Sequence, residues 1–412
     1  MSERDKRGWV IVGTLFATLF LIWGPINAGG VFFLPVIKHF GWSRGFFSLL
    51  IATAPLAAGI SSPAAGWLMD RIGARKVMIA GASMVALGYI ALSRANSALE
   101  FLLIFIVLGV GITASTIIPT ALVITNWFRA NRGFALGIAF AGIPLGGTGI
   151  TILANYIVLH YGFRAGYFAM AIPIVLIVIP LLAAFVSTRP DAEVGDPALT
   201  GASDLAVPGF DVRDAIRTRS FWMIAIAEVL FATAGVGLRV HLVPYLTGIG
   251  YTPTAAAEIF GAMFVFSAIG SFAIGPFADR NGGRVMLAAA FTACAAGIAV
   301  LLGADHFAAV AAFVVVFGMA REASAVLLPL AIGESLGVRR LGALLGIQAL
   351  FTTFGFAAGP AIAGRIFDVT GSYTGALILF AAMALVAALA IRATLPLGEE
   401  QSRATVERTA AA

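Results

Sequence analysis

The chain has 412 residues, of which 60% are hydrophobic and only 11% charged. Soluble globular chains carry about a quarter charged residues, so this composition excludes a water-soluble fold and points to a bilayer, whose hydrocarbon core about 20 apolar residues cross. The net charge of +6 raises nucleic acid as a partner, but the placement of the charges along the chain argues against it. The single cysteine, Cys294, excludes a disulfide framework and a thiolate metal cluster, and His39, His160, His241 and His306 are too scattered for a metal site. No cofactor is expected.

Residues 9–36 form the first long apolar stretch, behind a short charged start with Glu3, Asp5, Lys6 and Arg7. The stretch is too long for a signal-peptide core and no small-x-small cleavage site follows, so it reads as a retained helix. Hydropathy with Gly, Pro and charge punctuation then gives spans at 45–69, 77–93, 99–126, 133–158, 165–187, 220–247, 254–277, 285–303, 308–332, 341–364 and 373–396. Twelve spans place both termini on one side. The termini and even-numbered loops hold 19 Lys and Arg, the odd-numbered loops 5, and Arg239 and Arg321 lie inside spans. The positive-inside rule puts the termini in the cytoplasm of a plasma (inner) membrane. The basic balance thus reflects topology and not a polyanionic partner.

The longest loop separates spans six and seven. Its stretch "STRPDAEVGDPALTGASDLAVPG" has linker composition, and "DVRDAIRTRSFW" after it has the pattern of a short amphipathic surface helix. The expected organisation is a six-helix bundle over 1–187, a cytoplasmic central loop over 188–219, a second bundle over 220–397 and a cytoplasmic tail over 398–412.

The halves repeat at one offset of 209 residues. Pro35 falls on Pro244, and Gly41-Trp42-Ser43 on Gly250-Tyr251-Thr252. Gly66, Asp70, Arg71, Gly73 and Arg75 fall on Gly275, Asp279, Arg280, Gly282 and Arg284; Gly109 meets Gly318, and Gly162 meets Gly371. Two like-oriented six-helix repeats are the plan of secondary transporters with a substrate site near mid-membrane.

The repeated "GWLMDRIGARK" and "GPFADRNGGR" resemble the Gly-x-x-x-Asp-Arg-x-Gly-x-Arg loop of the major facilitator superfamily. The resemblance implies an all-α membrane protein with two pseudo-symmetric six-helix bundles, alternating access, and spans one, four, seven and ten around the central cavity. It also implies that Asp70, Arg71, Arg75, Asp279, Arg280 and Arg284 form a conformational latch, the aspartates accepting hydrogen bonds from a helix N-terminus or a nearby arginine. The bland alternative, basic loops serving only topology, leaves the fixed Asp and Gly spacing unexplained. "WFRANRGFALGIAFAG", "HLVPYLTGIGYTPTAAA" and "GPAIAGRIFDVTGSYTGALIL" are similar to bacterial members of the monocarboxylate-porter-like branch, which includes oxalate/formate exchangers. That similarity implies small organic anions, often moved with a proton. Carboxylate porters of this branch commonly carry a cation in span eight or eleven. "EIFGAMFVFSAIGSFAIG" and "GALLGIQALFTTFGFAAG" have none, so any anchoring cation must lie elsewhere.

Charge inside the bilayer is costly and needs a partner or a wet cavity. The second half carries Glu228, Arg239 and His241 in span seven and Arg321 and Glu322 in span ten, where the first half has only Ile112 and Thr113 opposite the last pair. Glu228 and Arg239 are 11 residues apart, so they share one helix face about 16 Å apart. Arg321 is either a bidentate carboxylate anchor or a permanent partner of Glu228 or Glu322. Arg239, nearer the outer end, is a ligand contact, an external gate or a snorkelling side chain. Glu322 and Glu228 are candidate proton carriers, since a carboxyl in apolar surroundings favours its neutral form and a nearby guanidinium its charged one. His241 is a further candidate at the site, for the ligand or a proton, or packs beside Pro244. Asn27 and Gln348 can hydrogen-bond a ligand or join two helices.

The expected function is proton-coupled secondary transport of a small organic anion, a monocarboxylate above others, by a chain working as a monomer in lipid. An exporter of larger amphipathic compounds is the alternative within transport, and a non-transporting sensor the alternative outside it. An enzyme is not expected, because no nucleophile–base set or nucleotide loop is present.

Overall fold

The hydropathy minima in the sequence become short turns between long helices in a computed structural model, which describes residues 3–128, 131–187 and 208–403. The central linker from 188 to 207 and the tail beyond 403 lie outside the described residues. Eleven helical stretches are long and apolar enough to cross a membrane. One of them, Arg132–Phe185, has 54 residues and would be about 80 Å long if straight, far more than the bilayer core of about 30 Å. Gly162 breaks it with φ 81° and ψ 167°, a backbone region that glycine reaches without a Cβ penalty. Spans five and six meet there, and the spans number twelve.

Several spans are built from two helices. Span one is Glu3–Asn27 and Gly29–Phe40; span four is Ala98–Ser115 and Ile117–Trp127; span ten is Phe307–Arg321 and Ala323–Leu336. Span five begins as Arg132–Phe140 and restarts at Gly142. Span seven, Arg219–Gly248, is continuous. Span two is Arg44–Ile72, span three Ala74–Arg94, span eight Pro253–Asn281, span nine Gly283–Leu301, span eleven Leu341–Thr370 and span twelve Thr374–Arg392.

The described residues form two compact units. The first holds residues up to 128 together with 138–187 and 345–350; the second holds 131–137, 208–344 and 351–403. Each unit contains the same helix–helix contact at equivalent places. In the first, Gly109 of span four lies against the backbone of Ala54 in span two, and Thr113 Oγ1 donates to Ala58 O at 3.0 Å. In the second, Gly318 of span ten lies against Met263 of span eight, and Ser267 Oγ donates to Gly318 O at 3.0 Å. Met263 and Ser267 are the 209-residue counterparts of Ala54 and Ala58. A small residue permits close backbone approach, and a hydroxyl then satisfies itself across the gap.

The segment before span seven differs from the expected surface helix. Only one turn forms, Val212–Ala215. Asp211 faces Arg339 at 3.4 Å and Arg340 at 3.3 Å instead of capping the turn, and Thr218 starts span seven by accepting from Phe221 N. Phe210 N donates to Leu336 O and Val338 N to Pro208 O, so this segment is pinned to the loop between spans ten and eleven. The first residues after span twelve are also engaged. Glu400 is buried and accepts from Ser220 Oγ at 2.8 Å, at the N-terminal end of span seven.

Candidate functional site

Span seven presents Glu228, Gly235 and Arg239 along one face, because separations of 7 and 11 residues both return close to the same angle at about 100° per residue. Span ten meets this face at its break. Glu322 sits between the two helices of span ten, and Arg321 is the last residue of the first. The guanidinium Nη1 donates to the Glu322 carboxylate; the two side chains retain 12% and 19% exposure. Arg321 lies against span seven at Gly235, where a Cβ would stand 3.5 Å from Arg321 Nε, an ordinary contact. That Nε is buried and has no hydrogen-bond partner among the described residues. Neither does Glu228 Oε1, which is buried on the same face.

Arg321 lies close enough to interact electrostatically with both Glu228 and Arg239, and Glu322 also acts on Arg239. Arg239 is partly buried and forms no ion pair with any described residue. The cluster therefore holds two guanidiniums and two carboxylates, of which one pair is in hydrogen-bond contact. Two like charges brought together inside a membrane repel unless an anion joins them.

His241 is committed elsewhere. Its Nε2 donates to Pro360 O and its Nδ1 faces the Tyr373 hydroxyl, each at 3.1 Å. The neutral tautomer with Nε2 protonated satisfies both bonds, Tyr373 donating to Nδ1. The space beside it, lined by Gly237, Tyr245, Tyr373 and Phe380 among others, is about 10 Å³, room for about one water. This geometry ties span seven to span eleven and to the turn before span twelve. Asn27 and Gln348 belong to the first unit: Asn27 ends the first helix of span one against Gly147, and Gln348 is fully buried in span eleven.

Among the motif residues, Asp279 accepts from Gly133 N at 2.7 Å and Phe134 N at 3.0 Å, the exposed donors at the start of Arg132–Phe140. This is the helix N-terminus contact expected of the motif aspartate. The terminal arginines have another task. Arg284 donates to the carbonyl and hydroxyl of Thr394 beyond span twelve, and Arg75 donates to Ala183 O in span six, so each caps a helix C-terminus in its own unit. Arg71 lies over the Trp67 ring at 5.0 Å, Arg280 is exposed, and Asp70 is partly buried at the end of span two. Two residues escape the sequence reading. Glu334 accepts from Gly283 N and from Arg284 N at 3.1 Å, capping span nine from span ten; its repeat counterpart is Thr125, and that mismatch was the available signal. Gly235 was visible only as a glycine between two charges on one face.

The family model described as Major Facilitator Superfamily matches residues 14–257 and 241–411. Monocarboxylate transporter 13 of Bos taurus is 25% identical over 394 residues, covering 94% of this chain and 89% of that protein. The uncharacterized MFS-type transporter YcxA of Bacillus subtilis is 24% identical over 395 residues, covering 90% and 91%. The crystal structure of the E. coli fucose:proton symporter FucP superposes with a TM-score of 0.72 at 17% identity, covering 92% of this chain and 97% of that one. Matched along nearly its whole length and folded as such proteins fold, the chain belongs to the Major Facilitator Superfamily.

Proposed function

We propose that this protein is a secondary transporter of a small organic anion, a monocarboxylate, coupled to protons and working by alternating access in the plasma (inner) membrane with both termini cytoplasmic. The observation that carries the reading is the convergence of Arg321 and Arg239 with a single carboxylate, Glu322, in contact. A substrate carboxylate gives Arg239 the anionic partner that it lacks among the described residues. The planar fork of Arg321 can receive it bidentately, and Arg239 can close on it from one helical turn beyond Gly235. The Bos taurus relative, a monocarboxylate transporter, supports the substrate class, and FucP, a fucose:proton symporter, supports proton coupling.

The same geometry supports an exchange of partners. When a substrate takes Arg321, Glu322 loses its counter-charge. A carboxylate left alone in a low-dielectric site takes up a proton. Substrate and proton then bind together, and release of one favours release of the other. Glu228, buried with one oxygen unpartnered, is the second proton carrier on this reading.

Flux of labelled small carboxylic acids into proteoliposomes, with and without an inward acidic gradient, tests the proposal. Uptake that the gradient accelerates is the expected result. Binding without flux would leave a sensor, and flux confined to bulky amphipathic compounds would leave an exporter; either outcome removes the proposed function.

A further inference from the structure

A second basic site lies in the first unit, on spans three and six. Arg94 ends span three and Arg164 begins span six, and together with Ser93, Ala165 and Phe168 they line an open concavity of about 380 Å³. Counting along the unit, this is the end opposite the N-terminus. Neither arginine pairs with a carboxylate among the described residues. Arg164 Nη2 donates to Asn96 Oδ1 at 2.7 Å and to Ala95 O at 3.4 Å, two neutral acceptors, and its flank lies near the Phe163 ring. Arg94 is exposed, with no side-chain hydrogen bond or ion pair to any described residue.

The one acid of this loop is used up locally. Glu100 accepts from Asn96 N and from Ser97 Oγ, each at 2.9 Å, while Ser97 Oγ accepts from Glu100 N, a reciprocal cap at the start of span four. Two guanidinium groups thus face one hollow with their charge uncompensated. Below the hollow the surface is apolar. Leu87, two turns before Arg94 on the same face of span three, is exposed, as are Phe168, Ile172, Val175 and Leu176 on span six. A cationic hollow above a wall of exposed aliphatic and aromatic side chains matches the two ends of one molecule.

We propose that this hollow binds the headgroup phosphate of an anionic phospholipid, with its acyl chains along spans three and six. Arg94 and Arg164 hold the phosphate oxygens, for which a guanidinium fork is the matching donor. Phe168 separates headgroup from chains. The site is distinct from the transport cluster, so it stands or falls without the transport reading.

The full chain, delipidated in a neutral detergent, is titrated with phosphatidylglycerol, with phosphatidylcholine of the same chains and with inorganic phosphate, and bound lipid is counted by native mass spectrometry. Wild-type protein should hold one phosphatidylglycerol about twenty-five-fold more tightly than phosphatidylcholine, about fivefold for each of two surface arginines. Arg94→Gln should cut that preference to about fivefold, the share of Arg164, and Arg94→Lys should fall between, with unchanged melting temperatures in lipid-free detergent, since Arg94 holds no other side chain. Equal binding of the two lipids, or phosphatidylglycerol binding undiminished in Arg94→Gln, overturns the proposal. So does displacement of the lipid by equimolar inorganic phosphate, which would mark a bare anion site.

Discussion

Arg321 and Glu322 are neighbours in the chain, and on our reading that favours binding over bracing. An ion pair that braces a bundle joins two helices; this one closes on a single turn at a helix break and ties nothing to anything. Burying two charges without gaining a cross-link is costly, so their retention points to a ligand. Replacing Arg321 by Gln should lower kcat/KM for uptake in proteoliposomes by about tenfold to about a hundredfold, the range for one hydrogen bond to a charged group. Yield and elution profile in detergent should be unchanged, because Glu322 can accept a proton once its partner is gone. Arg321→Lys should fall between, as an ammonium keeps the charge but loses the fork. Gly235 offers an uncharged control on the same geometry. A Cβ 3.5 Å from Arg321 Nε is an ordinary contact, so Gly235→Ala should transport normally. Gly235→Leu fills the space of the guanidinium and should raise KM, measured by initial-rate uptake, though no charge changes.

At the level of helices, the sequence foretold where spans lie better than what fastens them. Hydropathy placed the boundary between spans five and six around Gly162, and the glycine's φ of 81° shows why the chain turns there inside one unbroken apolar stretch. The paired contacts of Gly109 and Gly318 follow directly from the repeat. The fastenings between distant segments were not legible, because each depends on a neighbour that only the fold supplies. Arg284 reads in sequence as a latch arginine, and its bonds to Thr394 make it a C-terminal cap. Glu400 reads as tail, and its bond to Ser220 makes it part of span seven's start. Glu334 belongs to this group. Its carboxylate holds the two N–H groups that open span nine, a placement that complements the helix dipole. Glu334→Gln should cost about 1 kcal/mol of stability, visible as a lower unfolding midpoint in detergent. Uptake per folded molecule should not change.

Over the whole molecule, the repeat identifies which features are shared scaffolding and which belong to one half. The motif glycines, the Gly109 and Gly318 contacts and the capping arginines occur twice. The charged cluster occurs once, because Ile112 and Thr113 stand where Arg321 and Glu322 would be. A shared feature can still have a kinetic role if it is made in one state and released in another, which is our reading of Asp279. Its two oxygens take Gly133 N and Phe134 N at the start of a helix, a contact strengthened by the full negative charge. Asparagine has one acceptor oxygen and no charge, so Asp279→Asn should lose one of the two bonds and weaken the other. A structural cap of this kind would behave like Glu334, with a lower midpoint and normal turnover. A latch behaves otherwise: substrate affinity by equilibrium binding should stay within about twofold, while the exchange rate falls about tenfold, because losing about 1.4 kcal/mol from one state shifts the balance between states by that factor. Measuring midpoint, binding and exchange together in Asp279→Asn and Glu334→Gln separates the two roles. A fall in midpoint without a fall in exchange for Asp279→Asn would remove the latch.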